Sequence, residues 1–239
     1  MLYAECLAVA GFVHSFGTRE TGSLATEPSG IRADAERFAR VSGFEAGRFY
    51  EVSQVHGARV VQVLATDVPA FVRRGEGADA LATGVPGHAV GIRTADCVPV
   101  LLADPRSGRV AVAHAGWRGV VAGVVTRAAL AVGVPTERLV AAIGPSIGPC
   151  CFEVGEDVAV QIATATRPAV RLDRTGQRPR VDLWLAVEHQ LRALHIATVD
   201  TLGRCTVCEP ELFFSYRRDG ARAGRQWSAI AARSPGAHA

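Results

Sequence analysis

A turn caught between two apolar runs constrains this chain more than any other feature. Val98–Ala103 and residues 110–113 are short and apolar, and Asp104-Pro105-Arg106-Ser107-Gly108 between them is turn chemistry. Runs this short, bounded this way, read as buried strands. Hairpin-like connections of this kind exclude a strictly doubly wound fold, in which every strand pair is joined by a helix. Further strands are expected over residues 3–16, 51–64, 89–93, 139–143, 198–202 and 213–217. Helices are expected over residues 31–42, closed by Gly43, and over 117–132, 155–164 and 181–194. Residues 17–31 are rich in Gly, Ser, Thr and Pro and read as a loop. Interleaved strands and helices with hairpin turns predict an α+β architecture, a single domain over residues 1–239 with a mixed β-sheet flanked by helices.

Composition narrows the chemistry. With 239 residues, 49% hydrophobic, the chain buries a sizeable core without disulfides. A net charge of +3 gives no reason to expect nucleic acid or a membrane surface as partner. All 26 basic residues are arginine, so Schiff-base chemistry, a pyridoxal-phosphate anchor and a Walker-type phosphate loop are excluded. Asparagine is absent, and N-glycosylation with it. The start, Met1-Leu2-Tyr3-Ala4-Glu5-Cys6, lacks a basic n-region, and no apolar run approaches the ~20 residues of a membrane span. The expectation is a cytoplasmic protein whose six cysteines are thiols or ligands.

Three patches carry residues able to hold a metal ion: Ser53-Gln54-Val55-His56-Gly57, Thr94-Ala95-Asp96-Cys97-Val98-Pro99 and Ala113-His114-Ala115-Gly116-Trp117-Arg118-Gly119. His56, Cys97 and His114 all fall at strand ends or strand-to-loop junctions. Two imidazoles and one thiol make the three-ligand set of a catalytic zinc site with one open position. Taken singly, each has an ordinary reading: a hydrogen-bonded histidine near a strand, a cysteine as a small buried hydrophobe. A fourth protein ligand, such as Cys150, would instead mark a closed, non-enzymatic metal site. Cys205-Thr206-Val207-Cys208 is a lone C-x-x-C, one pair being too few for a zinc ribbon, and reads as structural or incidental. The loop from Gly144 to Cys151 is either a rigid turn or a backbone cradle for an anion. Arg118, Arg217, Arg218 and Arg225 are candidate holders of phosphate or carboxylate.

Five patches occur in order: Gln54-Val55-His56-Gly57; Thr94 to Pro99; His114 to Gly119; Gly144-Pro145-Ser146-Ile147-Gly148 with Cys150-Cys151-Phe152-Glu153-Val154-Gly155; and Phe213-Phe214-Ser215-Tyr216-Arg217-Arg218-Asp219-Gly220. Together they closely resemble the YfiH family, also labelled multicopper polyphenol oxidase or laccase-domain proteins, over roughly residues 50–230. The resemblance implies one zinc on His56, Cys97 and His114. It implies phosphorolysis of adenosine, inosine and methylthioadenosine, with adenosine deamination as a second activity. An amidohydrolase that edits peptidoglycan precursors and a copper polyphenol oxidase are the alternatives it brings. His14-Ser15-Phe16-Gly17-Thr18-Arg19 matches the family's usual beginning, but Glu20-Thr21-Gly22-Ser23-Leu24-Ala25 replaces its Gly-Gly-Val-Ser run, which bears on substrate choice.

On this reading His56, Cys97, His114 and Asp96 are the catalytic set, Asp96 as proton-transfer group or orienter of a ligand imidazole. Arg19, Arg118 and Arg218 are the candidate contacts to substrate or phosphate. The expected partners are a purine nucleoside and phosphate, with neither nucleic acid nor membrane, in a monomer or homodimer. A multicopper centre needs many imidazoles, and the chain has seven histidines, two of them in the matched patches.

Overall fold

The computed structural model describes residues 1–25, 27–66, 73–166, 172–173 and 177–236. Two mixed sheets dominate. In the larger, six strands run in the order Thr198–Thr201, Val140–Ile143, Val98–Ala103, Val110–Ala115, Ala80–Thr83 and Val60–Val63. Its outer pairs are parallel and its inner pairs antiparallel. In the smaller, four strands run in the order His14–Phe16, Gln226–Ala231, Ala89–Thr94 and Phe49–Tyr50.

The period-2 alternation of strand side chains sorts these residues into layers. From the large sheet, Val98, Val100, Leu102, Ala111 and Ala113 turn to one side and pack against Val124, Ala128, Ala186, Val187 and Leu191 of the helices Val124–Ala131 and Leu183–Ala193. Their neighbours Leu81, Leu101, Val110 and Val112 turn to the other side and meet Phe16, Tyr50, Val90, Ile92 and Ile230 of the small sheet. The small sheet's outer face, with Ala89, Trp227 and Ala229, is covered by Ile31, Ala35 and Phe38 of the helix Pro28–Val41. The result is an α+β domain of helices, sheet, sheet and helix in succession. Among the described residues no helix is long and apolar enough to cross a membrane.

The strand pair around Asp104 forms as expected. Asp104 accepts hydrogen bonds from the backbone N–H groups of Arg106 and Ser107 and from the Ser107 hydroxyl, and it pairs with Arg138. Burial pushes its carboxyl up, but these donors more than offset that and hold it below the ordinary carboxylate range.

Several expectations are corrected. Residues 3–16 are not one strand: a helix, Glu5–Val9, precedes the strand His14–Phe16. That helix buries Leu7, and its Cys6 N–H donates to Asp200 at 2.7 Å, so tertiary contacts override strand propensity. The single helix expected over 117–132 is two, Trp117–Val121 and Val124–Ala131, because Gly123 turns left-handed at φ +80°. Residues 213–217 are not a strand. Ser215 caps a helical turn, Tyr216–Asp219, by accepting from the Arg218 N–H, and the strand lies later, at Gln226–Ala231.

Candidate metal centre

Strand register brings the centre together. Pro99 pairs with His114, and Ala80 with Ala113. Cys97 therefore leads into one strand beside His114, while Asp79, one residue before Ala80, faces His114 from the strand on the other side. The His114 N–H donates to the Asp79 carbonyl at 2.7 Å, and His114 Nδ1 meets Asp79 Oδ1 at 2.8 Å. That leaves Nε2 of His114 free to face the other ligands. His56 arrives on the loop between Val52–Ser53 and Val60–Val63, and its ring lies 4.8 Å from that of His114, edge to face. Ligand atoms of His56, Cys97 and His114 all lie within 4.8 Å of one another.

Asp79 is the hub, and sequence reasoning passed over it. Its buried carboxylate accepts backbone N–H bonds from His56 at 2.8 Å, Gly57 at 2.6 Å and Val55 at 3.3 Å, besides the His114 ring. One side chain thus fixes both histidines. For His114 the contact is the carboxylate–imidazole pairing known to orient histidines that bind metal, whereas His56 is held through its backbone. The only signal in the sequence is an acid flush against the apolar run that follows it.

Burial raises the cost of charge on Cys97 and His114, but each lowers that cost for the other. The imidazoles of His114 and His56 pull the Cys97 thiol down to about 6 against burial. Burial opposes the charged His114 ring, yet the Cys97 thiolate and Asp79 push it up to about 9. Burial likewise pushes Asp79 up, and the His114 ring and the N–H groups of Gly57 and His56 more than offset it, so it stays below the ordinary carboxylate range. A thiolate and two imidazoles suit a borderline or soft transition ion such as zinc or copper, and not magnesium or calcium.

Backbone strain gathers here. His56 and Asp96 adopt positive φ of 59° and 88°. Conformations of that kind cost about 1–3 kcal/mol and persist where surrounding contacts over-determine them. Asp96 is so determined: its oxygens accept from the Thr206 hydroxyl and the Arg217 N–H, both at 2.6 Å, and its carbonyl accepts from the Ile147 N–H. Gly116 leaves the room the cluster needs. A methyl group there would stand 2.9 Å from the Cys97 sulfur and 3.1 Å from His56 Cδ2. Gly116→Ala is expected to weaken metal binding by about 10–100-fold, the range for disturbing the groups that hold metal ligands in place, in a competitive chelator titration.

The three residues open onto a cavity of about 770 Å³, lined also by Gln54, Arg93, Thr94, Asp96, Tyr216 and Arg225. Arg217 and Arg222 complete the basic rim. Of the arginines singled out from sequence, Arg217 and Arg225 line this cavity, whereas Arg19, Arg118 and Arg218 lie outside the lining. Arg118 is exposed and lies over the Trp117 ring at 4.4 Å. Arg19 lies over the Phe214 ring at 4.6 Å and donates to the Phe213 carbonyl. Arg218 spends its guanidinium on Asp219 and on the carbonyls of Thr206 and Phe213. The Gly144–Cys151 loop is not an anion cradle: its Ser146, Ile147 and Gly148 N–H groups bond to Arg204, Asp96 and Cys205. Cys150 belongs to a separate group with Cys151, Cys205 and Cys208.

A family model described as "Multi-copper polyphenol oxidoreductase laccase" matches residues 20–233. The chain is 40% identical over 245 residues to a Deinococcus radiodurans protein named purine nucleoside phosphorylase, spanning 96% of this chain and 92% of that one. The solved structure of YfiH from Bacillus licheniformis superposes with a TM-score of 0.82 at 26% identity, covering 93% of each chain. YlmD from Geobacillus stearothermophilus gives 0.80 at 28% identity, covering 93% of this chain and 90% of that one. These findings correct the expected activity. The family model spanning residues 20–233 is described by oxidase chemistry, and neither solved neighbour carries a nucleoside activity in its name. The expectation of a zinc-dependent purine nucleoside phosphorylase with adenosine deamination is set aside for this chain, and that name stays with the relative that bears it.

Proposed function

Because the chain belongs to the YfiH or laccase-domain family, whose model spans residues 20–233, we propose that it is a mononuclear zinc enzyme that hydrolyses an amide bond in a small anionic substrate. The observation that carries this reading is the convergence of His56, Cys97 and His114 within 4.8 Å at the wall of a large cavity with a basic rim. An ion held by these three residues would supply Lewis acidity there.

The chain's own residues supply the rest. Asp79 holds the His114 imidazole and the backbone that carries His56, so the ligand set is preorganised. Asp96, held by Thr206 and Arg217 and lining the cavity beside Cys97, is the proton carrier of this reading. It accepts a proton from the attacking water and returns it to the departing nitrogen as the carbon–nitrogen bond breaks. The water oxygen ends on the acyl carbon. Arg222 and Arg225 hold the anionic end of the substrate, guanidinium being the planar partner of carboxylate and phosphate.

Arg225→Ala is therefore expected to raise KM by about 10–100-fold, the worth of a hydrogen bond to a charged group, with kcat changed far less. Steady-state kinetics separate the two.

The test of the reaction is a screen of acyl amino acids and cell-wall peptide precursors against zinc-loaded protein, read as released amino acid. Release that stops on chelation and returns with zinc supports the reading. A second reading has its own observation: a thiolate with two imidazoles is also the equatorial set of a single-copper redox site, and the family's description names copper. Oxygen uptake with a phenol by copper-loaded protein, without amide hydrolysis by the zinc form, would replace the hydrolase with that oxidase.

A further inference from the structure

The structure carries a second group of soft donors. Cys150 and Cys151 sit on the loop after the strand Val140–Ile143, while Cys205 and Cys208 form the C-x-x-C beyond Thr198–Thr201. Neither pair makes a metal site alone, but the parallel pairing of those two strands brings them together. All four sulfurs lie within 4.8 Å of one another. Cys208 Sγ is 3.6 Å from Cys150 Sγ and 3.4 Å from Cys151 Sγ. A tetrahedral zinc tetrathiolate with bonds of about 2.3 Å needs sulfurs about 3.8 Å apart, so small side-chain adjustments suffice.

The backbone is also arranged for thiolates. The Gly148 N–H donates to Cys205 Sγ at 3.3 Å, and the N–H groups of Val207 and Cys208 turn to the same sulfur. N–H groups converging on the first sulfur of a C-x-x-C turn stabilise the negative charge a bound thiolate retains. Four thiolates around a divalent ion leave two net negative charges. Arg217, bonded to the Cys151 carbonyl at 3.1 Å, stands beside the first ligand loop and offsets one of them.

We propose that Cys150, Cys151, Cys205 and Cys208 form a second, structural zinc site that clamps the 144–152 loop to the 205–208 turn. Binding converts four thiols to four thiolates, with release of four protons and no change of oxidation state. Its four protein ligands leave no open position, which marks a structural rather than a catalytic centre. The clamp serves the cavity, because the first loop supplies Ile147 and Phe152 to the wall and Thr206 of the second holds Asp96. This inference does not depend on which reaction the His56–Cys97–His114 centre performs.

The experiment is elemental analysis of protein purified with zinc under reducing conditions. Two zinc ions per chain are expected in the unaltered protein and one in Cys97→Ala. One is also expected in Cys208→Ser, whose side chain is exposed, so that the fold tolerates the change. The cobalt-loaded Cys97→Ala protein provides a readout with all four cysteines intact, and intense sulfur-to-cobalt absorption of tetrahedral type is expected from it. One zinc in the unaltered protein with none in Cys97→Ala overturns the proposal. So does a mass showing disulfides among these cysteines in metal-free protein isolated without an added oxidant.

Discussion

Replacing Asp79 by asparagine is expected to weaken metal binding by about 10–100-fold, the range for removing a carboxylate behind a ligating histidine. The change is nearly isosteric, so the effect arises from hydrogen bonding. Asp79 accepts from three backbone N–H groups and from the His114 ring, with both oxygens in use. An amide turns one of those acceptors into a donor facing a donor. Hydrogen bonds to charged groups are worth about 1.5–3 kcal/mol each, so the loop carrying His56 loosens as His114 loses its orientation. A lower Tm for the metal-free protein together with weaker binding is the expected pair of results. Unchanged metal affinity would show that Asp79 supports the fold and not the centre.

Cys97→Ala is expected to have the larger effect on the centre and the smaller on the fold. Four-ligand structural zinc sites bind with about 10–16 kcal/mol, or roughly 2.5–4 kcal/mol per ligand, so losing one costs about 60–700-fold in affinity. Removing the Cys97 thiol leaves the neighbouring strand Val98–Ala103 paired on both sides. Activity should therefore vanish at working metal concentrations while Tm of the metal-free protein moves little. Isothermal titration with zinc, set beside thermal unfolding, reads both quantities.

The parts legible in the sequence are those fixed locally. The strand Val98–Ala103 is bounded by a bend and a turn, and the helix Pro28–Val41 carries an apolar stripe ended by a glycine at φ +79°. The parts that were not legible depend on distant partners. Gln226–Ala231 has buried residues on both faces, Trp227 toward the helix layer and Ile230 toward the large sheet, so its pattern gives no clean alternation. Phe213-Phe214 looks like a strand but is an aromatic anchor, its backbone held by Gln226. The same division applies to the centre. His56, Cys97 and His114 stood out by residue type and by the patches around them. Asp79 is joined to them by strand register alone, and the four cysteines by the pairing of Val140–Ile143 with Thr198–Thr201. The arginines facing the cavity are chosen by loop geometry: of those named from sequence, Arg217 and Arg225 line it while Arg19, Arg118 and Arg218 make other contacts, and Arg93 lines it without having stood out.

The most direct test is an anomalous difference map at the zinc edge from crystals of the zinc-loaded protein. The account predicts a peak about 2.0–2.3 Å from a ring nitrogen of His56, Cys97 Sγ and His114 Nε2, with one coordination position turned to the cavity. A map with no peak among these three residues, or one closed by a fourth side chain, would contradict it.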